Sequence, residues 1–176
     1  MTHYQSHYLR TGLVLYPSQQ EAIDKLLHKL VQQIPAHFVL LTDVTGQVIS
    51  SKGNQENIDL VALGSLVAGD LAASHEIARL TRQYQADQMV FREGHTINTF
   101  TCEAGFHLAL LVQASTDVPM GWARMAIRKA VQLLADVTAR PPVEKGQAAN
   151  AAPELALQQE DLPDLFSDAL DDLWLE

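Results

Sequence analysis

Residues 58–80 read IDLVALGSLVAGDLAASHEIARL, and the two sides of this stretch decide the fold. Wound at about 100° per residue, Leu60, Leu63, Val67, Leu71 and Ala78 fall on one stripe, with Leu66 and Ile77 beside it. That stripe is expected to face a core. Roughly opposite lie Val61, Ser65, Ala68, Gly69 and Ala72, mostly small and all uncharged, where a surface helix carries lysines and glutamates. Small residues four apart, as in Ser65, Gly69 and Ala73, let two helix backbones approach closely, and glycine is otherwise a poor choice inside a helix. A second body is therefore expected on this face, and an identical subunit is the natural one. The alternative, a central helix buried within one larger domain, needs more covering elements than the chain offers.

Outward from this helix the chain alternates regular patterns with turn signals. Ser18 after Pro17 is a plausible cap for a helix carrying Ile23, Leu26, Leu27, Leu30, Val31 and Ile34 at intervals of three and four, stopped by Pro35. Residues 37–43 (HFVLLTD) and 47–51 (QVISS), joined at Thr45 and Gly46, read as a hairpin. After the two-sided helix, residues 87–93, 95–102 and 106–113 form an antiparallel meander with turns at Gly94 and at Glu103, Ala104 and Gly105. Thr116 or Asp117 then caps a last helix with Pro119 in its first turn, ended near Arg140 by Pro141 and Pro142. Residues 1–16 end in an apolar burst that suits either an added strand or an anchored arm.

The strands differ in a way that predicts their order. Phe38 to Leu41 and Leu108 to Val112 are apolar on consecutive residues, so both of their faces need covering and they belong at the centre. Residues 47–51 and 95–102 mix polar and apolar positions, as half-exposed or outer strands do, while Met89 and Phe91 place bulk on one face near an edge. The expected architecture is α+β, a mixed α/β fold with a five-stranded antiparallel sheet and helices on both faces.

Composition narrows the function. Residues 1–140 carry 12 acids against 11 bases, whereas residues 141–176 carry 9 acids against Lys145 alone, so the tail holds −8 of the formal −9. The nearly neutral body has no basic stripe to neutralise phosphates, which argues against nucleic acid and anionic membrane surfaces as partners. No uninterrupted apolar run approaches the roughly 20 residues that span a bilayer, and MTHYQSHYLR lacks a secretory signal's apolar segment, so a cytoplasmic protein without membrane insertion is expected. One cysteine, Cys102, permits no internal disulfide.

The order helix, hairpin, helix, three-strand meander, helix resembles the roadblock family, the dynein light chain and bacterial motility-regulator group. The resemblance is carried by LLTDVTGQVISSKG, NIDLVALGSLVAGDLAASHEIARL, QMVFREG and PMGWARMAIRKAVQLLADV, and extends from about Ala22 to Val137. Profilin-like, PAS and GAF modules share a similar element order and stand as the alternative. The resemblance implies a profilin-like roadblock fold over residues 17–140 and a dimer in which the middle helix and the third strand of each subunit meet. On this chain those elements carry Val61, Ser65, Ala68, Gly69, Ala72, Met89 and Phe91. It further implies a non-enzymatic role, binding a small Ras-like GTPase and stimulating or organising its nucleotide cycle. A pure scaffold and a small-ligand sensor are the competing readings, the latter needing a pocket of roughly 300 Å³.

Beyond the domain, residues 141–159 read as a flexible linker rich in proline and alanine. In residues 160–176, Leu162, Leu165, Phe166, Ala169, Leu170, Leu173 and Trp174 recur at helical spacing, with Asp161, Asp164, Asp168, Asp171 and Asp172 filling the other side. Such a short acidic helix is marginal alone and suits an apolar groove with a basic rim, on a partner or on its own domain. Enzyme chemistry finds little company. Cys102 with His95 or His107 is weak as nucleophile and base, and a packed cysteine is the simpler reading. The histidines, His28 and His75 among them, show no metal-ligand pairing, and the chain has no GxxxxGK[ST] loop, so no metal, cofactor or nucleotide site is expected. Arg92, Arg124 and Arg128 are not expected to act as arginine fingers, because the resemblance implies repositioning of the GTPase's own residues.

Overall fold

Consecutive apolar residues in two strands dictate a sheet covered on both sides, and the computed structural model, which describes residues 6–83 and 88–139, has that arrangement. The elements are β1 (His7–Tyr8), β2 (Val14–Leu15), α1 (Pro17–Gln33), β3 (Ala36–Asp43), β4 (Val48–Gly53), α2 (Leu60–Thr81), β5 (Met89–Arg92), β6 (Ile97–Glu103), β7 (Leu108–Ser115) and α3 (Met120–Ala139). The main sheet is antiparallel in the order β4-β3-β7-β6-β5. The two strands apolar on both faces, β3 and β7, pair at its centre from Ala36↔Ala114 to Asp43↔Leu108.

Side-chain alternation divides the interior in two. Val39 and Leu41 with Leu108, Leu110 and Val112 pack on α1 and α3 through Ile23, Leu27, Leu30, Ile127, Ala130 and Leu134, all of them buried. On the other face a smaller core gathers Phe38, Leu40, Ala109 and Leu111 under Val67 and Leu71 of α2. Each of these large side chains contributes about 1.5–3 kcal/mol when fully buried, so the α1/α3 layer supplies most of the hydrophobic stabilisation. Gln19 ties the layer at one end: its Oε1 accepts from the Tyr16 N–H at 3.0 Å and its Nε2 donates to the Val137 carbonyl at 3.0 Å.

The β3–β4 turn seats α2. Asp43 Oδ1 accepts from the Thr45 N–H at 2.9 Å, the Thr45 hydroxyl at 2.7 Å and the Gln47 N–H at 2.8 Å, an Asx-type turn that leaves Gly46 at φ +89°. A Cβ on Gly64 of α2 would stand 2.4 Å from the Gly46 carbonyl oxygen, and one on Gly46 would stand 2.8 Å from the Gly64 oxygen. Two glycines thus bring helix and turn backbones into direct contact.

Several expectations shift. The last helix begins at Met120, after Pro119, whose carbonyl accepts from the Ala123 N–H at 3.0 Å, so neither Thr116 nor Asp117 is its cap. Likewise α1 begins at Pro17 with Tyr16 as N-cap rather than Ser18, because Gln19 reaches back to the Tyr16 N–H. Strand β6, read as half-exposed or outer, lies inside the sheet between β7 and β5. Its polar residues misled: Thr101 is fully buried. Among the described residues the N-terminal segment joins no strand of the main sheet; β1 and β2 pair with each other and are anchored by Leu9 and Leu15 in the α1/α3 core. The linker 141–159 and the segment 160–176 lie outside the described residues.

Candidate protein-binding face

The sheet needs only one stripe of α2, and the rest of the helix is left with apolar side chains and water. Asp59 caps its start, accepting from the Val61 and Ala62 N–H groups at 3.1 and 3.0 Å, and Arg82 ends it in the left-handed region at φ +58°. Gly64, Val67, Leu71 and Ala78 are buried. Leu60 and Leu63 are half-buried against the same core. Leu66 and Ile77, expected beside this stripe, instead face outward at 69% and 61% exposure. The physical reason is angular. At about 100° per residue both stand on the order of 100° or more from the stripe's centre, and the smaller core reaches no further round the helix.

Val61 (73% exposed) and Leu80 (67%) join them, so the outer surface of α2 carries four large apolar side chains around small ones. Of the expected contact residues, Val61, Ser65, Gly69 and Ala72 are exposed and Ala68 is half-buried. A Cβ on Gly69 would meet nothing within 4 Å, which marks an open surface. Polar groups bound this band toward its end: Glu76 and Arg79 pair with each other there, and His75 Nε2 lies 3.2 Å from Glu103 Oε2. By length and composition alone α2 could also cross a bilayer. In the fold it lies on the sheet.

Beside α2 the sheet ends at β5, which pairs only with β6 among the described residues. Met89 and Phe91, expected at the contact, are half-buried and turned toward their own α1/α3 core, with the Phe91 ring 5.1 Å from that of Phe100. What β5 offers a neighbour is its free backbone edge. Arg92 points to the other face and forms a two-pronged pair with Asp70 of α2, one prong at 2.7 Å. This pair fixes edge strand and helix as one surface, and only the fold reveals it, because 22 residues separate its members. Arg92 is therefore engaged rather than free.

The Arg92 guanidinium holds the Asp70 carboxyl below its ordinary value of 3.8, mainly by direct hydrogen bonding and against a smaller cost of burial. A depressed folded-state value stabilises fully above the ordinary Asp range and loses that stabilisation as pH falls through it. Asp70→Asn should accordingly flatten the acid limb of the stability profile below the ordinary value. Its cost at neutral pH should be about 0.5–1 kcal/mol, as for a partly exposed pair. Denaturant melts of both proteins across the acid range measure this.

Cys102 sits in the α1/α3 core at 3% exposure, its Sγ 3.8 Å from the Leu110 carbonyl, and burial pushes its thiol up to about 12. His95 and His107 are exposed. The thiol should thus resist alkylation at pH 8 in the native protein and react only on unfolding, as labelling followed by mass measurement will show. Among the described residues no group of three His, Cys, Asp or Glu side chains could hold a metal ion.

At the corner where α2 ends, β5 begins and α3 passes, an open cleft of about 790 Å³ has a mixed lining, with apolar Ile77, Met89, Val90 and Val131 beside polar Thr81, Gln88 and Glu103. Arg124 and Arg128 line its α3 side. The cleft lies at the sheet's edge rather than within either core. The expected tail contacts Leu162, Leu165, Phe166, Leu170, Leu173 and Trp174 lie outside the described residues.

A five-stranded antiparallel sheet with two helices on one face, one on the other and an uncovered outer surface on the lone helix defines the class as a roadblock-type domain. Comparison with solved structures agrees. MglB of Myxococcus xanthus is 29% identical, covers 75% of this chain and 100% of its own, and superimposes with a TM-score of 0.66. The gliding protein MglB of Thermus thermophilus is 27% identical over 72% of this chain and 95% of its own, with a TM-score of 0.65. A Roadblock/LC7 domain from Streptomyces avermitilis shares the fold at 21% identity, over 61% of this chain and 90% of its own, with a TM-score of 0.55. No family sequence model matches the chain, and no curated protein matches it significantly. The chain has the roadblock fold, and its structural neighbours support the resemblance to the roadblock family.

Proposed function

We propose that this protein is a non-enzymatic, homodimeric regulator of a small Ras-like GTPase, acting in the cytoplasm. One observation carries the reading: the outer surface of α2 joins exposed Val61, Leu66, Ile77 and Leu80 to small Ser65, Gly69 and Ala72, and it adjoins the open edge of β5. Two copies related by a twofold axis bury such a surface against itself and continue one sheet into the other across β5. The composite surface so formed is what a GTPase contacts. The likeness to MglB proteins over nearly their whole length supports this assignment.

The nucleotide belongs to the GTPase, and the domain acts by position. Arg92 is held by Asp70, so the reading draws on no arginine finger from β5. Calorimetric binding to a cognate GTPase in both nucleotide states, with hydrolysis measured with and without this protein, tests the proposal. Binding together with a changed hydrolysis or exchange rate supports it. Absence of binding in both states overturns it, and binding with unchanged rates reduces the protein to a scaffold.

A further inference from the structure

We propose that the end of the sheet where the turn 43–47, the turn 104–107 and the N-terminal hairpin meet is a docking ledge for the Ras-like GTPase, with Phe106 as its anchor. This rests on the GTPase reading above and adds the residues that hold the partner. Phe106 is 95% exposed, more than any other large apolar side chain among the described residues. Its turn is nonetheless well held. The Ala104 N–H donates to the Leu108 carbonyl at 2.8 Å, Ala104 is fully buried, and Gly105 at φ +74° lies so near α3 that a Cβ there would stand 3.3 Å from that of Ala135. A fixed turn that keeps an aromatic ring in water needs little further ordering when a partner arrives, and such aromatic anchors dominate binding interfaces.

Two hydrogen bonds join this turn to its neighbours. The His107 carbonyl accepts from the Val44 N–H at 3.0 Å, and Gln47 Oε1 accepts from the Arg10 N–H at 2.9 Å. They knit the three segments into one row of exposed residues, Arg10, Thr45, His107 and Phe106. Running from the β4 edge across β3 to β7, the row is roughly 10–15 Å long at about 4.8 Å per strand. Arg10 forms no ion pair among the described residues. Of the acids in and beside these turns, Asp43 is fully buried and Glu103 lies against His75. The row thus offers an aromatic ring and an unpaired guanidinium, whose complement is an apolar pocket beside acidic groups.

Position selects the occupant. A twin seated on the outer surface of α2 and on β5 leaves the row open, because Arg10 and Gln47 lie at the β4 edge, opposite β5. The row still borders α2: a Cβ on Gly46 would stand 2.8 Å from the Ser65 Cα, one helical turn from exposed Val61. It therefore extends the composite surface rather than the seam between copies. A second copy seated on Phe106 would make a head-to-tail contact that does not close on itself as a twofold pair does.

Calorimetry of the full-length protein with the cognate Ras-like GTPase, loaded with GDP or with a non-hydrolysable GTP analogue, tests the ledge. Phe106→Ala should weaken binding by about thirtyfold. Arg10→Glu should weaken it by about tenfold, a deficit that shrinks as salt is raised. Thermal unfolding and sedimentation of Phe106→Ala should match the native protein, because the ring is almost wholly in water. Native binding that Phe106→Ala leaves unchanged overturns the ledge while the GTPase reading stands. Absence of native binding in both nucleotide states overturns both. A fall in oligomeric mass on Phe106→Ala assigns the row to a second copy and overturns the ledge as well.

Discussion

Leu66→Lys combined with Ile77→Lys will give a folded monomer. Both side chains are more than half exposed, so the domain loses no core contact, and lysine is a good helix residue. At a twofold contact the same change presses paired ammonium groups from each subunit into an apolar seam. Leaving such charges buried without partners costs several kcal/mol. The proposed dimer should weaken by about 4 kcal/mol or more, roughly a thousandfold in dissociation constant. Sedimentation equilibrium and thermal unfolding together measure this, the first reporting mass and the second an intact fold. A variant that stays dimeric would remove the α2 face as the contact. Ala72→Lys is the milder test, and Ala68→Lys a poor one, because Ala68 is half-buried and its replacement also strains the domain.

The second large effect belongs to a glycine nobody would single out by spacing. Gly64→Val places a branched side chain where even a Cβ stands 2.4 Å from the Gly46 carbonyl oxygen, a backbone atom that cannot swing aside, and 3.3 Å from the Thr42 methyl carbon. Helix propensity alone favours replacement by up to about 1 kcal/mol. The collision outweighs it, since α2 has to lift off the turn and pull Val67 and Leu71 from the smaller core. A loss of about 3 kcal/mol is expected, a fall of about 10 °C in Tm. Gly69→Ala, five residues along the same helix, meets nothing and should leave the domain equally stable or slightly more so. Chemical denaturation of the two variants, on a background made monomeric by the lysine pair, separates folding from assembly.

The contrast between these two glycines shows where reading from residues alone stops. Both stand in one apolar helix, and spacing offers close approach of a second helix for Gly69 while giving Gly64 no reading of its own. Gly64 is instead spent inside the subunit, against a turn shaped by Asp43, and Gly69 faces out. The same limit misplaced Leu66 and Ile77. Apolar character says that a residue prefers company without saying whether the company is its own core or another molecule. Periodicity gives an angle but not the width of the core that the angle must meet. Strand β6 failed in the opposite sense, its threonines reading as exposure although α2 lies over the strand and buries Thr101.

Patterns resolved within a short window were sound. Consecutive apolar residues placed β3 and β7 at the centre of the sheet, alternation and turn residues gave the meander, and intervals of three and four gave the three helices, because each follows from local backbone geometry and one buried face. The pairing of Arg92 with Asp70, the meeting of Gly46 with Gly64, the outward turn of Leu66 and the cleft beside α3 arose only on folding. Each depends on where elements distant along the chain come to rest, and no local pattern carries that distance.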